Sequence, residues 1–413
     1  GRIRIIGLGE PVFRPAVSYP SSSCLPVGVP RLFRGLTRLP CGPSTHSGYR
    51  EYAVRAWMSH SASDSSGSTA GVRRILVRST NWVGDTVLIT PAIHALRCAY
   101  PRAHITILAV PSVADLLKYH PDLDEILVYE RNGRHQGYRG MLVMAGELNR
   151  KMFTHAFVMP NSFSSALMIR LAAVPYRIGY GIRGREWLLT DSRPLPREIL
   201  GHHQVYYYLG ILRNGERAHA VPEPRIVVTE EESGWAAERL QRDGIRPEDR
   251  PCGLVPGATY GTAKQWPLER FIEIGKRLVG IGKQVVLFGN EKERELTFEV
   301  SNAISNGCLD LGGRTNMRQF MALISRCGVV ICNDSGAMHV AAALGCRVVV
   351  PIGSTDPYTT RPWGEGHVLI RHAMPCAPCL ERHCPLGHHL CMDRITVDEV
   401  WAGVRQALRA SST

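Results

Sequence analysis

The chain has 413 residues, of which 44% are hydrophobic, and it carries a formal net charge of +13. This length exceeds what one hydrophobic core usually supports, so we expect two domains. The sequence has no run of about eighteen apolar residues, and we therefore expect no transmembrane helix. The basic excess is compatible with an anionic partner, such as a phosphorylated glycolipid, a nucleic acid or a membrane surface, and equally with a solvated basic surface.

Residues 1–71 differ in composition from the rest of the chain. They are rich in Ser, Pro, Gly and Arg and show no hydrophobic periodicity, which predicts a disordered extension. Met58 stands just before a small, polar stretch, and we interpret it as the true start, with residues 1–57 an over-extended gene model. The alternative is a targeting segment, although the apolar core of a secretory signal is missing.

From residue 72 onward, short apolar runs alternate with helical stretches. In the first half we predict strands at 74–78, 104–110, 125–129 and 155–159. The pattern restarts near residue 225, with predicted strands at 252–255, 284–289, 328–332 and 347–351. This alternation predicts an α/β fold with parallel, doubly wound sheets. We therefore predict domains at 72–224 and 225–395, followed by a capped helix at 396–413.

Asp85 comes just after the first of these strands, at the start of a helix. There it could act as a general base at the carboxyl edge of the sheet. The alternative is a carboxylate that only stabilises the first turn of the helix. We expect the positive end of the helix dipole to lower the pKa of Asp85, so that the carboxylate is ionised at neutral pH.

The turn at 256–266 lies between a predicted strand and a predicted helix and is rich in glycine and hydroxyl groups. Gly257 would let the backbone approach a phosphate closely, and Lys264 would supply a positive charge. The spacing matches neither the Walker A motif nor the dinucleotide fingerprint. On local grounds Lys264 could equally be a surface lysine.

Polar residues cluster where the strand at 328–332 leads into a helix of small residues. Asp334, Ser335 and Gly336 occupy this turn, and His339 lies one turn further along the helix. A helix N-terminus at the carboxyl edge of a parallel sheet offers free N–H groups to an anion. We therefore predict a site for a phosphate-bearing ligand. The alternatives are a helix cap at Asp334 and a structural role for His339.

Four cysteines, Cys376, Cys379, Cys384 and Cys391, have the spacing C-x₂-C-x₄-C-x₆-C. Four thiolates in a short loop could hold a structural zinc ion or an iron–sulfur cluster, although the spacing matches neither usual pattern. The alternative is free thiols in a folded loop. The other cysteines are scattered among apolar neighbours, which favours a reducing cytoplasm.

Four blocks of sequence occur in one order that resembles a known enzyme family. They are residues 81–85 (NWVGD), 160–166 (PNSFSSA), 256–267 (PGATYGTAKQWP) and 333–339 (NDSGAMH). Together they resemble the ADP-heptose:lipopolysaccharide heptosyltransferases of glycosyltransferase family 9, and the likeness runs from about residue 72 to residue 408. The resemblance implies a GT-B architecture, in which two Rossmann-like domains face each other across a cleft. It also implies that the last helix returns to the first domain.

The family resemblance implies a role for individual residues. Asp85 would be the catalytic base of an inverting transfer of heptose from ADP-heptose to the heptosyl-Kdo–lipid A inner core. The donor would contact Gly257, Thr259, Lys264, Glu293, Asp334, Ser335, Gly336 and His339. Asn161 and Ser162 are candidate contacts of the acceptor, and Arg183 and Arg185 are further candidates from their charge and position alone.

The same resemblance implies a cytoplasmic enzyme that contacts the inner membrane peripherally, needs no cofactor for the chemistry and binds no nucleic acid. Two alternatives stay open. One is a GT-B transferase that uses another nucleotide sugar. The other is a basic protein that binds a metal through the Cys cluster and also binds nucleic acid, although the aromatic residues expected on such a surface are missing.

Overall fold

Two β-sheets, one in each half of the chain, form the framework of the protein, for which we used a computed structural model. The structure describes residues 4–6, 73–197, 199–212 and 221–410. The predicted start at Met58 and most of the predicted extension therefore lie outside the described residues. Within that extension, Arg4–Ile6 form a strand. The prediction of a wholly disordered extension is therefore wrong for these three residues.

The strands and helices of the described residues alternate as predicted. The strands are β1 (Arg4–Ile6), β2 (Arg74–Arg78), β3 (His104–Ala109), β4 (Glu125–Val128), β5 (His155–Val158), β6 (Tyr176–Tyr180), β7 (Asp191–Arg193), β8 (Cys252–Val255), β9 (Val285–Leu287), β10 (Cys308–Asp310), β11 (Val329–Cys332), β12 (Arg347–Pro351) and β13 (Val368–Arg371). The helices are α1 (Val83–Ala99), α2 (Pro111–Leu117), α3 (Gly137–Arg150), α4 (Phe163–Leu171), α5 (Gln204–Leu212), α6 (Glu230–Arg242), α7 (Leu268–Gly280), α8 (Arg294–Ile304), α9 (Met317–Ile324), α10 (Gly336–Ala343), α11 (Pro357–Thr360), α12 (Leu390–Asp393) and α13 (Val397–Ala410).

The first sheet has the strand order β4-β3-β2-β5-β6-β7, and all its pairs are parallel. Its central strand β2 is apolar on both faces. Ile75 and Val77 enter the core on one face, and Leu76 enters the core on the other. A parallel sheet needs helices on both faces to cover it, which explains why the strand is a continuous apolar run.

The second sheet has the order β1-β13-β12-β11-β8-β9-β10. Its six strands from β8 to β13 are parallel, and β1 joins the edge antiparallel to β13. If β1 is left aside and the six strands of each half are numbered 1 to 6 along the chain, both sheets have the order 3-2-1-4-5-6 of Rossmann folds. The predicted α/β class with two doubly wound sheets is confirmed.

The strand order creates a crevice at the same place in each sheet. In this order the first and fourth strands are neighbours, and the chain leaves them toward opposite sides, so ligands bind beyond their carboxyl ends. These neighbours are β2 and β5 in the first sheet, and β8 and β11 in the second. The four sequence blocks at 81–85, 160–166, 256–267 and 333–339 follow these four strands, so each block lies at a crevice.

The last helix, α13, packs on the second sheet. Val400, Val404 and Ala407 are buried in a core cluster that also contains Val349 and Ile370. The prediction that this helix returns to the first domain is therefore wrong. Its apolar residues recur at helical spacing and bury their face locally, against the sheet that precedes them in the chain.

The two domains contact each other beside the crevices. Helix α5 ends at Leu212, and Ile226 already packs in the core of the second sheet, so the division falls between them. Nε2 of His203 donates to the carbonyl of Arg361 across the interface, with an N–O distance of 2.8 Å. No helix within the described ranges is long and apolar enough to cross a membrane.

Candidate active site

Asp85 lies in the first turn of α1, and its side chain is partly buried. Among the described residues, none is hydrogen-bonded to its carboxylate, so the structure does not support the alternative of a helix cap. Burial raises the pKa of Asp85 to about 6, while the nearby charge of Lys264 lowers it. The predicted lowering of the pKa is therefore wrong. Removal of the carboxylate from water outweighs both Lys264 and the helix dipole.

The N-termini of α1 and α10 meet at two glycines. A Cβ atom on Gly84 would lie 2.9 Å from Cδ2 of His339 and 3.3 Å from Cα of Gly336. A Cβ atom on Gly336 would lie 3.2 Å from the backbone nitrogen of Gly84. Only residues without a side chain allow this approach. The contact brings the first turn of α1, which holds Asp85, to the predicted anion site of the second domain.

Lys264 lies in this interdomain region, at the end of the loop that follows β8. Its Nζ atom is 3.0 Å from Oδ2 of Asp334, and the two side chains are only 14% and 5% exposed. The same nitrogen is 5.1 Å from the ring centroid of Tyr260. The alternative of a surface lysine is therefore wrong. Lys264 is a largely buried cation in a defined position.

Hydrogen bonds hold the two segments of the second domain together. Oδ1 of Asn333 accepts from the backbone N–H of Trp266 at 2.9 Å, and its Nδ2 donates to the carbonyl of Pro256 at 2.6 Å. Asp334 accepts a hydrogen bond from the hydroxyl of Thr355. Ser335, rather than Asp334, is the residue at the N-cap of α10. Asp334 therefore orients Lys264, and the alternative of a helix cap is wrong.

Gly257, Thr259 and Glu293 form another edge of this region. A Cβ atom on Gly257 would lie 2.2 Å from Oε1 of Glu293, so the carboxylate occupies the space that the glycine leaves open. The hydroxyl of Thr259 accepts from Nδ2 of Asn290, whose backbone N–H donates to Glu293. Burial raises the pKa of Glu293. The structure brings these residues together, and their contact with the donor stays a prediction.

His339 lies at the domain interface, with its ring against Gly84. Burial lowers its pKa to about 4, so the ring is neutral at physiological pH. Its Nδ1 atom is buried and has no hydrogen-bond partner among the described residues. The ring also lines a cavity of about 340 Å³ that Arg347 and His367 share. The contact that His339 makes is therefore structural, and its predicted contact with the donor is untested.

Comparison with known proteins identifies the family. Residues 141–390 match the description "Glycosyltransferase family 9 (heptosyltransferase)". The chain belongs to glycosyltransferase family 9. It is 32% identical over 311 residues to lipopolysaccharide heptosyltransferase 2 of Escherichia coli (strain K12), covering 72% of this chain and 88% of that one. It is 28% identical over 306 residues to lipooligosaccharide heptosyltransferase 2 of Haemophilus influenzae, with the same coverage.

A solved structure agrees with this family assignment. The structure of E. coli ADP-heptose lps heptosyltransferase II superposes with a TM-score of 0.70 and 29% identity, covering 82% of this chain and 100% of that one. The GT-B architecture implied by the sequence is therefore confirmed. The protein is a glycosyltransferase of the heptosyltransferase family, which sets aside the alternative of a nucleic-acid-binding protein.

The predicted acceptor residues of this family 9 enzyme follow β5 and β6. Nδ2 of Asn161 donates to the hydroxyl of Tyr207 at 2.5 Å, and Ser162 caps α4. Arg185 is fully buried and donates through Nε to the carbonyl of Tyr180 at 2.9 Å. The prediction that Arg185 contacts the acceptor is therefore wrong, because its guanidinium supports the backbone.

Arg183 is exposed and has a φ of 59°, in the left-handed region that non-glycine residues rarely adopt. It lies in the loop after β6, two residues before the buried Arg185. Its contact with the acceptor stays a prediction, as do those of Asn161 and Ser162.

The four cysteines line one small cavity in the loop before α12, together with Ser354 and Ala263. Backbone N–H groups, that of His389 foremost, hydrogen-bond to Cys384 and lower its pKa. Among the described residues, no set of three His, Cys, Asp or Glu side chains is arranged to hold a metal ion. The structure thus brings the cysteines together, and a bound metal stays a prediction.

Several residues of the region were missed by the sequence analysis. Thr355 follows β12 and could have been found by the reasoning that located Asp334, since both lie beyond the carboxyl end of a parallel strand. Tyr260 was quoted only as part of a block, although its ring contacts Lys264. Nothing in the sequence pairs Trp82 with Tyr260, whose ring centroids are 6.3 Å apart across the two domains.

Proposed function

We propose that this enzyme transfers L-glycero-D-manno-heptose from ADP-heptose to the heptosyl-Kdo–lipid A inner core, with inversion at the anomeric carbon. The observation that carries the proposal is the pairing of a free carboxylate with an anion site. Asp85 has a pKa of about 6 and no hydrogen-bond partner among the described residues, and Lys264 lies close enough to influence it. The relatives named as heptosyltransferases support the choice of donor and acceptor.

In this reaction an acceptor hydroxyl oxygen attacks the anomeric carbon of the donor from the face opposite ADP. A carbon–oxygen bond to the acceptor forms while the bond from that carbon to the phosphate oxygen breaks. Asp85 takes the hydroxyl proton, and the electron pair of the broken bond leaves with ADP. A base with a pKa of about 6 is ionised at neutral pH and accepts a proton more readily than an ordinary aspartate does.

The departing ADP gains negative charge on its terminal phosphate. Lys264 and the free N–H groups at the start of α10 are the groups that would stabilise this charge. The ion pair with Asp334 keeps Lys264 in place before the donor binds, so little reorganisation is needed during the reaction. Since these groups already supply positive charge, we propose that transfer requires no metal ion and survives treatment with a chelator.

We also propose that the enzyme works at the cytoplasmic face of the inner membrane, which it contacts peripherally. The acceptor carries lipid A, and the chain has a net charge of +13 that would attract an anionic surface. A metal at the four cysteines would hold their loop and would take no part in the transfer. Elemental analysis of protein purified without added metal tests that part of the proposal.

A donor-specificity assay tests the central part. The purified enzyme is given a heptosylated inner-core acceptor and, in separate reactions, ADP-heptose, a UDP-sugar or a GDP-sugar. We expect turnover with ADP-heptose alone. Turnover only with a UDP- or GDP-sugar would instead support the alternative of a transferase with another donor.

A further inference from the structure

The ring of Tyr260 contacts two cations of its own domain and one aromatic residue of the first domain. Nζ of Lys264 and Cζ of Arg382 each lie 5.1 Å from its ring centroid. The ring of Trp82, from the first domain, contacts it edge-on, with an interplanar angle of 64°. Trp82 lies three residues before the proposed base, Asp85. The ring of Tyr260 therefore marks a point where the two domains meet beside the reacting groups.

The two cations differ in their partners. Lys264 is paired with Asp334 and largely buried. Arg382 is exposed, and within the described parts of the chain no carboxylate forms an ion pair with it. Because each lies 5.1 Å from the same ring centroid, the two charges are at most about 10 Å apart, and only that of Lys264 is paired with a carboxylate. An anionic group bound beside this ring would be attracted by both charges.

Backbone contacts hold the segment that carries Arg382. Its carbonyl accepts a hydrogen bond from the N–H of Ala263 at 3.0 Å. Gly261 lies directly against it, because a Cβ atom there would be 2.2 Å from the same carbonyl oxygen. The hydroxyl of Tyr260 donates to the carbonyl of Leu380 at 3.2 Å. The loop that carries Arg382 is thus attached to the loop that carries Lys264.

We propose that Arg382 and Lys264 form a subsite for an anionic oxygen group of a substrate, bounded by Tyr260 and Trp82. Arg382 presents a planar set of N–H donors that suits a phosphate or a carboxylate. This proposal rests on the proposed function and adds a residue that the sequence analysis did not find. The group bound there belongs either to the diphosphate of the donor or to a phosphate or carboxylate of the acceptor.

The test compares Arg382→Gln with the wild-type enzyme and with two further variants. Arg382→Lys keeps the charge, and Arg405→Gln removes an exposed arginine from α13, away from the cleft. The affinity for ADP is measured by calorimetry without acceptor, and KM for the acceptor is measured at saturating donor. Thermal unfolding shows whether each variant is folded.

If the group belongs to the donor, Arg382→Gln weakens ADP binding about tenfold, as expected for loss of a charged hydrogen bond. If it belongs to the acceptor, KM for the acceptor rises by a similar factor while ADP binding is unchanged. In both cases Arg382→Lys, which keeps the charge, shows a smaller loss than Arg382→Gln, and Arg405→Gln shows no loss. Added salt reduces the difference between Arg382→Gln and wild type.

The proposal is overturned if folded Arg382→Gln matches wild type within about twofold in both measurements. Failure of the proposed function is seen separately, in the wild-type enzyme. If wild type does not bind ADP or use ADP-heptose, the same comparison is made with the nucleotide and donor that it does use.

Discussion

Nζ of Lys264 lies 3.0 Å from Oδ2 of Asp334, and the hydroxyl of Thr355 donates to that same carboxylate. The lysine comes from the loop after β8, the aspartate follows β11, and the threonine follows β12. Three loops at one edge of the second sheet therefore hold the ammonium group of Lys264 in place. From this position the charge acts on Asp85 of the other domain, and in the proposed reaction it would also act on the diphosphate of the donor.

Replacement of Lys264 by Met tests both effects. Lys264 lowers the pKa of Asp85, so its removal should raise that pKa above about 6. The acid side of the pH profile of kcat/KM should then move to higher pH, because the base ionises later. Donor affinity should also fall. Lys276→Met, an exposed lysine on α7, is the matched control and should change neither property. A profile that stays in place or moves to lower pH would contradict this account.

Gly84→Ala tests the contact between the two helix N-termini. The added methyl would lie 2.9 Å from a ring atom of His339 and 3.3 Å from Cα of Gly336, which is backbone and cannot give way unless α10 moves. We expect a loss of stability of about 1–3 kcal/mol and a marked loss of transfer activity. Gly146→Ala, on the exposed face of α3 with no atom within 4 Å, is the control and should gain up to about 1 kcal/mol. Wild-type stability and activity in Gly84→Ala would show that the domains do not need this approach.

Asp85→Asn should increase stability at neutral pH. Burial raises the folded-state pKa from 3.8 to about 6, so the folded protein binds this proton more tightly than the unfolded chain does. Stability of the wild type therefore falls as pH rises from about 4 to about 6 and stays lower above that range. The amide removes this penalty, which is on the order of 1–3 kcal/mol. Urea unfolding at pH 8 should give a larger free energy of unfolding for Asp85→Asn than for wild type, and this difference should vanish near pH 4. Equal stability at pH 8 would show that Asp85 is well hydrated.

The sequence was sufficient to bring the proposed site residues together because their positions follow from strand order. Asp85, Lys264 and Asp334 each follow a strand that borders a crevice, and a parallel sheet puts such turns at one edge. The same logic applied to β12 would have found Thr355. The sequence patterns also predicted most of the strands, since strands buried on both faces are continuous apolar runs.

The remaining errors arise from packing that local patterns do not record. Arg185 was assigned to the acceptor from its charge and position, but it is fully buried against backbone carbonyls. The pKa of Asp85 was predicted from its helix alone, whereas burial in the folded protein removes water from its carboxylate. Arg382 and Tyr260 are far apart in sequence, and only the folded Cys-containing loop brings them together.

The measurement that tests the account most directly is made on Asp85→Asn, with ADP-heptose and a heptosylated inner-core acceptor. The amide has the size of the carboxylate but cannot accept the hydroxyl proton as a base. We expect kcat to fall by about 10²-fold or more, as for loss of a general base, while ADP affinity changes by less than about threefold. A folded Asp85→Asn enzyme that transfers heptose at a near wild-type rate would contradict the assignment of Asp85 as the catalytic base.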